Sequence, residues 1–137
     1  MNSVQVAAGG LTDAELLRGF EHGTLEGGAF HHAEHIRVAW LYLGELEPVE
    51  ALDRYVANIK EFARINGAPE KYHETITWAY LLLIRERLEP GETWEEFVER
   101  NGDLMDWQDS ILARYYSPEL LGSEVARQRF VFPDRLG

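Results

Sequence analysis

The sequence predicts an all-α fold: an irregular helical bundle of four longer helices followed by short C-terminal ones. Three observations predict it. Apolar residues recur at three- and four-residue spacing over long stretches, the pattern of a helix with one buried face. Capping-box spacings occur twice, as Thr12-Asp13-Ala14-Glu15 and Thr93-Trp94-Glu95-Glu96. No segment alternates with period two for long enough to be a strand. A chain of 137 residues matches the size of one domain with one core, so a single helical domain is expected, with residues 1–10 frayed.

The first helix starts after Thr12 and carries Leu16, Leu17 and Phe20 towards Gly23; residues 24–29, with Gly27-Gly28, read as a loop. The second helix runs from about Phe30 to Gly44, and between Ile36 and Leu43 only Arg37 is polar. Pro48 suits the first turn of a third helix, which bears Leu52, Tyr55, Val56, Ile59, Phe62 and Ala63 and stops at Asn66-Gly67. Pro69 opens a fourth helix that ends before Pro90. Its stretch 76–84 holds one polar residue, Thr77, which makes it the expected centre of the domain. A buried strand is the alternative for so apolar a run, but its length with the flanking residues favours helix. A short helix follows Thr93 and runs to Gly102, and residues 103–116 read as another amphipathic helix. Ser117-Pro118-Glu119 and Ser123-Glu124 then open two short helices, the last ended by Phe132-Pro133-Asp134.

The formal net charge is −11, with 24 acidic against 13 basic residues. Nucleic acids and anionic membrane surfaces call for a basic face, so neither is an expected partner. The chain has no cysteine, which removes thiolate metal sites, disulfides and cysteine nucleophiles. No basic start leads into an apolar run, and no stretch approaches the roughly 20 apolar residues that span a bilayer. Cytoplasmic residence is the expectation. Nucleophile-elbow, phosphate-loop and dinucleotide-binding patterns are also missing.

All five histidines precede residue 74. With His35 as reference on the second helix, His31 lies about 40° to one side and His32 about 60° to the other, while Arg37 points about 160° away. Arg37 thus marks the solvent side, and His35 points inward. On the fourth helix His73 shares a face with Thr77 and Tyr80. A buried imidazole needs partners for its nitrogens, and a metal is one way to supply them, because histidines at i and i+3 or i+4 can reach one ion. His31 and His32 compete as the partner of His35. Glu70-Lys71-Tyr72-His73 is a Glu-x-x-His step of the di-iron kind, but its required second copy is missing. Glu74 lies about 100° from His73 and reads as a group behind the ligands or an ion-pair partner.

The string Phe30-His31-His32-Ala33-Glu34-His35, continued by Val38-Ala39-Trp40-Leu41-Tyr42-Leu43, resembles a family of small bacterial all-helical proteins with no established activity. The resemblance continues in Lys71-Tyr72-His73-Glu74-Thr75-Ile76-Thr77. It returns in Tyr115-Tyr116-Ser117, Leu120, Ser123, Ala126-Arg127, Phe130-Val131 and Pro133-Asp134. It implies Phe-x-His-x-x-His at Phe30, His32 and His35, which favours His32 over His31, and it brings Tyr72 into the candidate site. The resulting expectation is a divalent metal (Zn, Fe or Ni) held by His32, His35 and His73 between the second and fourth helices. Tyr72, Glu74, Thr77, Tyr116 and Arg127 line the accompanying small-molecule pocket. Tyr116 and Arg127 also have a structural reading, a phenol closing the core and a guanidinium paired with a carboxylate. The functional alternatives are a metal-dependent enzyme acting on a small molecule, a non-catalytic binding protein, and a structural protein with hydrogen-bonded core histidines. A homodimer through Trp94, Phe97 and Trp107 is the expected assembly.

Overall fold

Eight α-helices account for most of the residues described by the computed structural model, 10–25 and 30–136, and no strand occurs among them. The fraying expected of residues 1–10 falls outside the described residues except at Gly10, as does the Gly27-Gly28 loop. The chain divides into two compact units, Met1–Tyr72 and His73–Gly137.

The first unit holds α1 (Asp13–His22), α2 (His32–Glu45) and α3 (Pro48–Ile65), each packed on the other two. α1 begins as its sequence requires: Thr12 Oγ1 accepts the Glu15 N–H at 3.1 Å, and Glu15 returns the bond to the Thr12 N–H at 3.0 Å. It ends at Gly23, whose φ of 71° is left-handed, and a Cβ there would lie 2.5 Å from the Ile65 side chain. α3 stops where Asn66-Gly67 predicts, with Asn66 Nδ2 donating to the Phe62 carbonyl at 2.8 Å. Leu16 and Phe20 of α1, Ile36, Val38 and Ala39 of α2, and Ala51, Tyr55 and Ile59 of α3 form the core.

Arg37 is not the solvent marker the sequence suggests. Its guanidinium donates to Asp13 Oδ1 at 2.6 Å and to the Leu11 carbonyl at 3.1 Å, fastening the start of α1 to α2 with the arginine side chain only 19% exposed. A long cation on an otherwise apolar face can lie along that face and still deliver its charge to a neighbouring helix end. A polar chain within the unit was not foreseen either. The Tyr42 hydroxyl donates to Glu21 of α1 and accepts from Asn58 Nδ2 of α3 at 3.1 Å, so one phenol joins all three helices.

After a 3₁₀ turn (Pro69–Lys71) the chain breaks out of helix at Tyr72 and His73, and α4 (Glu74–Arg87) begins only beyond them. The fourth helix is therefore shorter than the one expected to open at Pro69, and His73 is its cap rather than part of its first turn. Around α4 the second unit assembles α5 (Trp94–Arg100), α6 (Gly102–Met105), a 3₁₀ turn (Ile111–Arg114), α7 (Pro118–Leu121) and α8 (Glu124–Gln128). α4 packs on α8 and on the second 3₁₀ turn. Its buried residues Ala79, Tyr80, Leu81 and Ile84 meet a core that includes Phe97, Leu104, Ile111, Leu112 and Ala126.

The single amphipathic helix expected over residues 103–116 is replaced by α6, an irregular stretch and the 3₁₀ turn. Short polar side chains outcompete the helix there. Asp106 Oδ1 accepts the Asp109 N–H at 2.9 Å and Ser110 Oγ accepts the Leu112 N–H at 3.2 Å. α8 ends at Gln128, ahead of the Phe132-Pro133-Asp134 stop. Phe97 is fully buried, Trp94 is half-buried and stacks on it at 6.0 Å, and Trp107 is 54% exposed, so Phe97 offers no surface for self-association.

Candidate functional site

Three of the histidines singled out by the sequence belong to the first unit and one to the second. In the first, His31 is the N-cap residue of α2, His32 its first residue and His35 stands one turn on. The His31 N–H donates to Glu34 Oε1 at 2.8 Å, which anchors the turn. His32 and His35 are half-buried and His31 is exposed.

The His35 ring lies 4.4 Å from the ring of Phe30, inclined at 53°. Phe30 is itself buried against Phe20 at 5.1 Å and Phe62 at 4.8 Å. The imidazole therefore forms the polar rim of an aromatic cluster built from α1, α3 and the approach to α2. From α3 the Tyr55 hydroxyl donates to the His35 carbonyl at 3.1 Å, which fixes the backbone beneath the ring. Burial holds the His35 imidazole down to about 4, and the nearby His32 and His31 push in the same direction. At neutral pH the ring is uncharged, with one nitrogen donating and the other accepting.

His73 is differently placed. As N-cap of α4 it accepts the Ile76 N–H on Nδ1 at 3.1 Å, and its Nε2 lies 2.7 Å from the Leu121 carbonyl oxygen. Those partners fix the tautomer: the lone pair is on Nδ1 and the proton on Nε2. Both nitrogens are spent within the second unit, and no lone pair is left for a metal. Among the described residues, no group of three or more histidine, aspartate or glutamate side chains comes together in a way that could hold an ion.

The remaining candidates each have local partners or a local role. The Lys60 ammonium lies 5.2 Å from the centre of the Tyr72 ring, a cation–π contact with α3. Glu74 is the half-buried first residue of α4, where a carboxylate favours the helix dipole. Thr77 Oγ1 donates back to the His73 carbonyl at 2.8 Å. The Tyr116 hydroxyl donates to the Val131 carbonyl at 2.7 Å. Arg127 pairs with Glu124 one turn earlier on α8. For Tyr116 and Arg127 the arrangement matches their structural reading.

A cleft of about 320 Å³ in the second unit, bordered by Asp103, Asp106, Asp109, Ser110 and Arg114, had no sequence signal beyond its acids. Two of its three carboxylates already have partners. Arg87 donates to both oxygens of Asp103, at 2.7 and 3.0 Å, and Asp106 serves the Asp109 backbone. Thr75, conspicuous only as a hydroxyl beside an apolar stretch, is fully buried, donates to the Arg129 carbonyl at 2.9 Å and accepts the Val131 N–H at 3.2 Å. No family model, curated protein or solved structure matches the chain.

Proposed function

We propose that the protein is a non-catalytic binding module for a small polar molecule, with His35 as the recognition group and His32 beside it. One observation carries the reading. The His35 ring is uncharged at neutral pH and half-buried against Phe30, at the rim of the aromatic cluster. A neutral imidazole offers one donor and one acceptor. A ligand with a complementary acceptor and donor, resting its apolar part on the aromatic cluster, satisfies them. A divalent ion (Zn, Fe or Ni) is the second form of the same reading, supported by the three-residue spacing of His32 and His35 on one helix. His73 contributes to neither form, because its lone pair serves α4.

The test is a small-molecule and metal screen followed by imidazole ¹⁵N resonances. Binders should shift the His35 ring signals and leave those of His73 in place, and His35→Ala should remove the binding while His73→Ala retains it. Binding that survives His35→Ala would end the proposal.

A further inference from the structure

The last described stretch of the chain is neither helix nor strand, yet it is tied down along its length. Leaving α8, the backbone turns extended at Arg129, with φ −151° and ψ 156°. The Thr75 hydroxyl then takes the carbonyl of Arg129 and the N–H of Val131, at 2.9 and 3.2 Å. The Tyr116 hydroxyl takes the Val131 carbonyl at 2.7 Å. The ring of Phe130 stacks on Trp78 at 5.1 Å. Further on, Asp134 receives the Ser117 N–H at 2.8 Å and the Ser117 hydroxyl at 2.6 Å, and the Arg135 N–H reaches the Tyr115 carbonyl at 2.9 Å.

These ties are side-chain bonds and single backbone bonds, and beyond the half-buried Phe130 and Val131 the segment is exposed. Phe132, between the two groups of ties, is 82% exposed. The groups beneath are of the opposite kind: Thr75 and Tyr116 are 0% and 2% exposed, set in the core of the second unit. The ties to Asp134 are exposed and those to Thr75 and Tyr116 part-buried, so the segment is held by a handful of hydrogen bonds more than by apolar burial, the mark of a piece that opens locally below the free energy of global unfolding.

We propose that residues 129–136 are a strap that opens and closes on the second unit as one cooperative piece, latched by Thr75 at one end and by Asp134 at the other. Opening bares a row of groups suited to an extended backbone and one carboxylate: the Thr75 and Tyr116 hydroxyls, the Ser117 N–H and hydroxyl, and the Tyr115 carbonyl.

Three amides report on the latch in the full chain: Ser117, Val131 and Arg135. Residue-resolved amide hydrogen exchange by NMR at neutral pH should give the three one common opening equilibrium, at least about tenfold more open than amides inside α4 such as Leu81. Asp134 is exposed, so Asp134→Asn leaves the fold intact. It should speed exchange at Val131, which does not touch Asp134, as much as at Ser117, with Leu81 unchanged. Faster exchange at Ser117 alone would show that the two ends are independent, and Val131 and Arg135 exchanging only together with α4 would show that the segment belongs to the core. Either result overturns the proposal.

Discussion

His73 and Leu121 are joined by a 2.7 Å contact from Nε2 to the backbone carbonyl oxygen, while the other ring nitrogen of His73 caps α4. One imidazole thereby ties the start of the longest helix of its unit to the end of α7. Removing it leaves the Ile76 N–H and the Leu121 carbonyl without their partners. His73→Ala should therefore lower stability by about 2 kcal/mol, the sum of a lost cap and a lost hydrogen bond. His73→Asn, which can still cap, should recover part of that. Denaturant midpoints of the three proteins check the order, wild type above Asn above Ala, and the far-ultraviolet helical signal should stay near that of the wild type.

Thr75 is spent on two backbone groups at once, and both become orphans when the hydroxyl is replaced by a methyl of the same shape. Thr75→Val should cost about 1–3 kcal/mol, because two part-buried backbone groups lose their partner with no cavity created. Thr75→Ser should restore most of the loss. If valine proves neutral in urea unfolding, the hydroxyl is not the link that fastens the end of the chain to α4.

Arg87 holds Asp103 through both carboxylate oxygens and also donates to Asn101 Oδ1 at 3.1 Å. The guanidinium keeps the Asp103 carboxyl below its usual range. The pair is partly exposed, at 24% and 32% for the two side chains, so screening reduces its worth. Asn101 is buried at 2% and depends on Arg87 for its carbonyl oxygen. Arg87→Ala should destabilise the second unit by about 1–2 kcal/mol, most of it from the stranded asparagine. Adding salt should erode only the smaller, ionic part of the difference. Thermal melts at low and high ionic strength separate the two parts.

The helices that announce themselves by caps and period were legible. Thr12, Thr93, Ser117 and Ser123 each accept the N–H three residues on, as their positions in the sequence imply. Pro48 and the Asn66-Gly67 stop bound α3 correctly. What failed were the places where a side chain chooses between the helix and its own backbone. A histidine at position 73 looks like a helix interior because the apolar periodicity runs on past it, yet its ring nitrogen captures the Ile76 N–H and the helix starts one residue later. Asp106 and Ser110 interrupt residues 103–116 in the same way.

Within the candidate site, spacing alone sets His32 and His35 one turn apart on α2, and that much is legible in the sequence. The part His73 plays depends on the path of the backbone at Tyr72 and on the position of the Leu121 carbonyl, 48 residues further along the chain, and no periodicity encodes either. The pattern residues Thr75, Tyr116, Ser117 and Asp134, read first as marks of a pocket or a family, are hydrogen-bonded to one another's segments and to the end of the chain.

The His35 ring gives a pH dependence whose sign is fixed. Its folded value of about 4 lies below the roughly 6.5 of an exposed imidazole, so between those limits the unfolded chain binds the proton more readily. Stability from this group is complete above about pH 6.5 and falls as the pH drops towards 4, by at most about 3 kcal/mol. Carboxylates titrate in the lower part of the same window, so the useful quantity is a difference between two proteins. His35→Gln keeps a polar group of similar size and cannot take up the proton. Measured by urea unfolding, the stability of wild type relative to His35→Gln should decline from pH 7 to pH 4.5, the steepest part lying below pH 6. Direct titration of the His35 ring by NMR should give a midpoint far below the roughly 6.5 of an exposed imidazole. A His35 midpoint near 6.5, or a stability difference that does not change with pH, would mean that the ring is open to water and is not seated on Phe30.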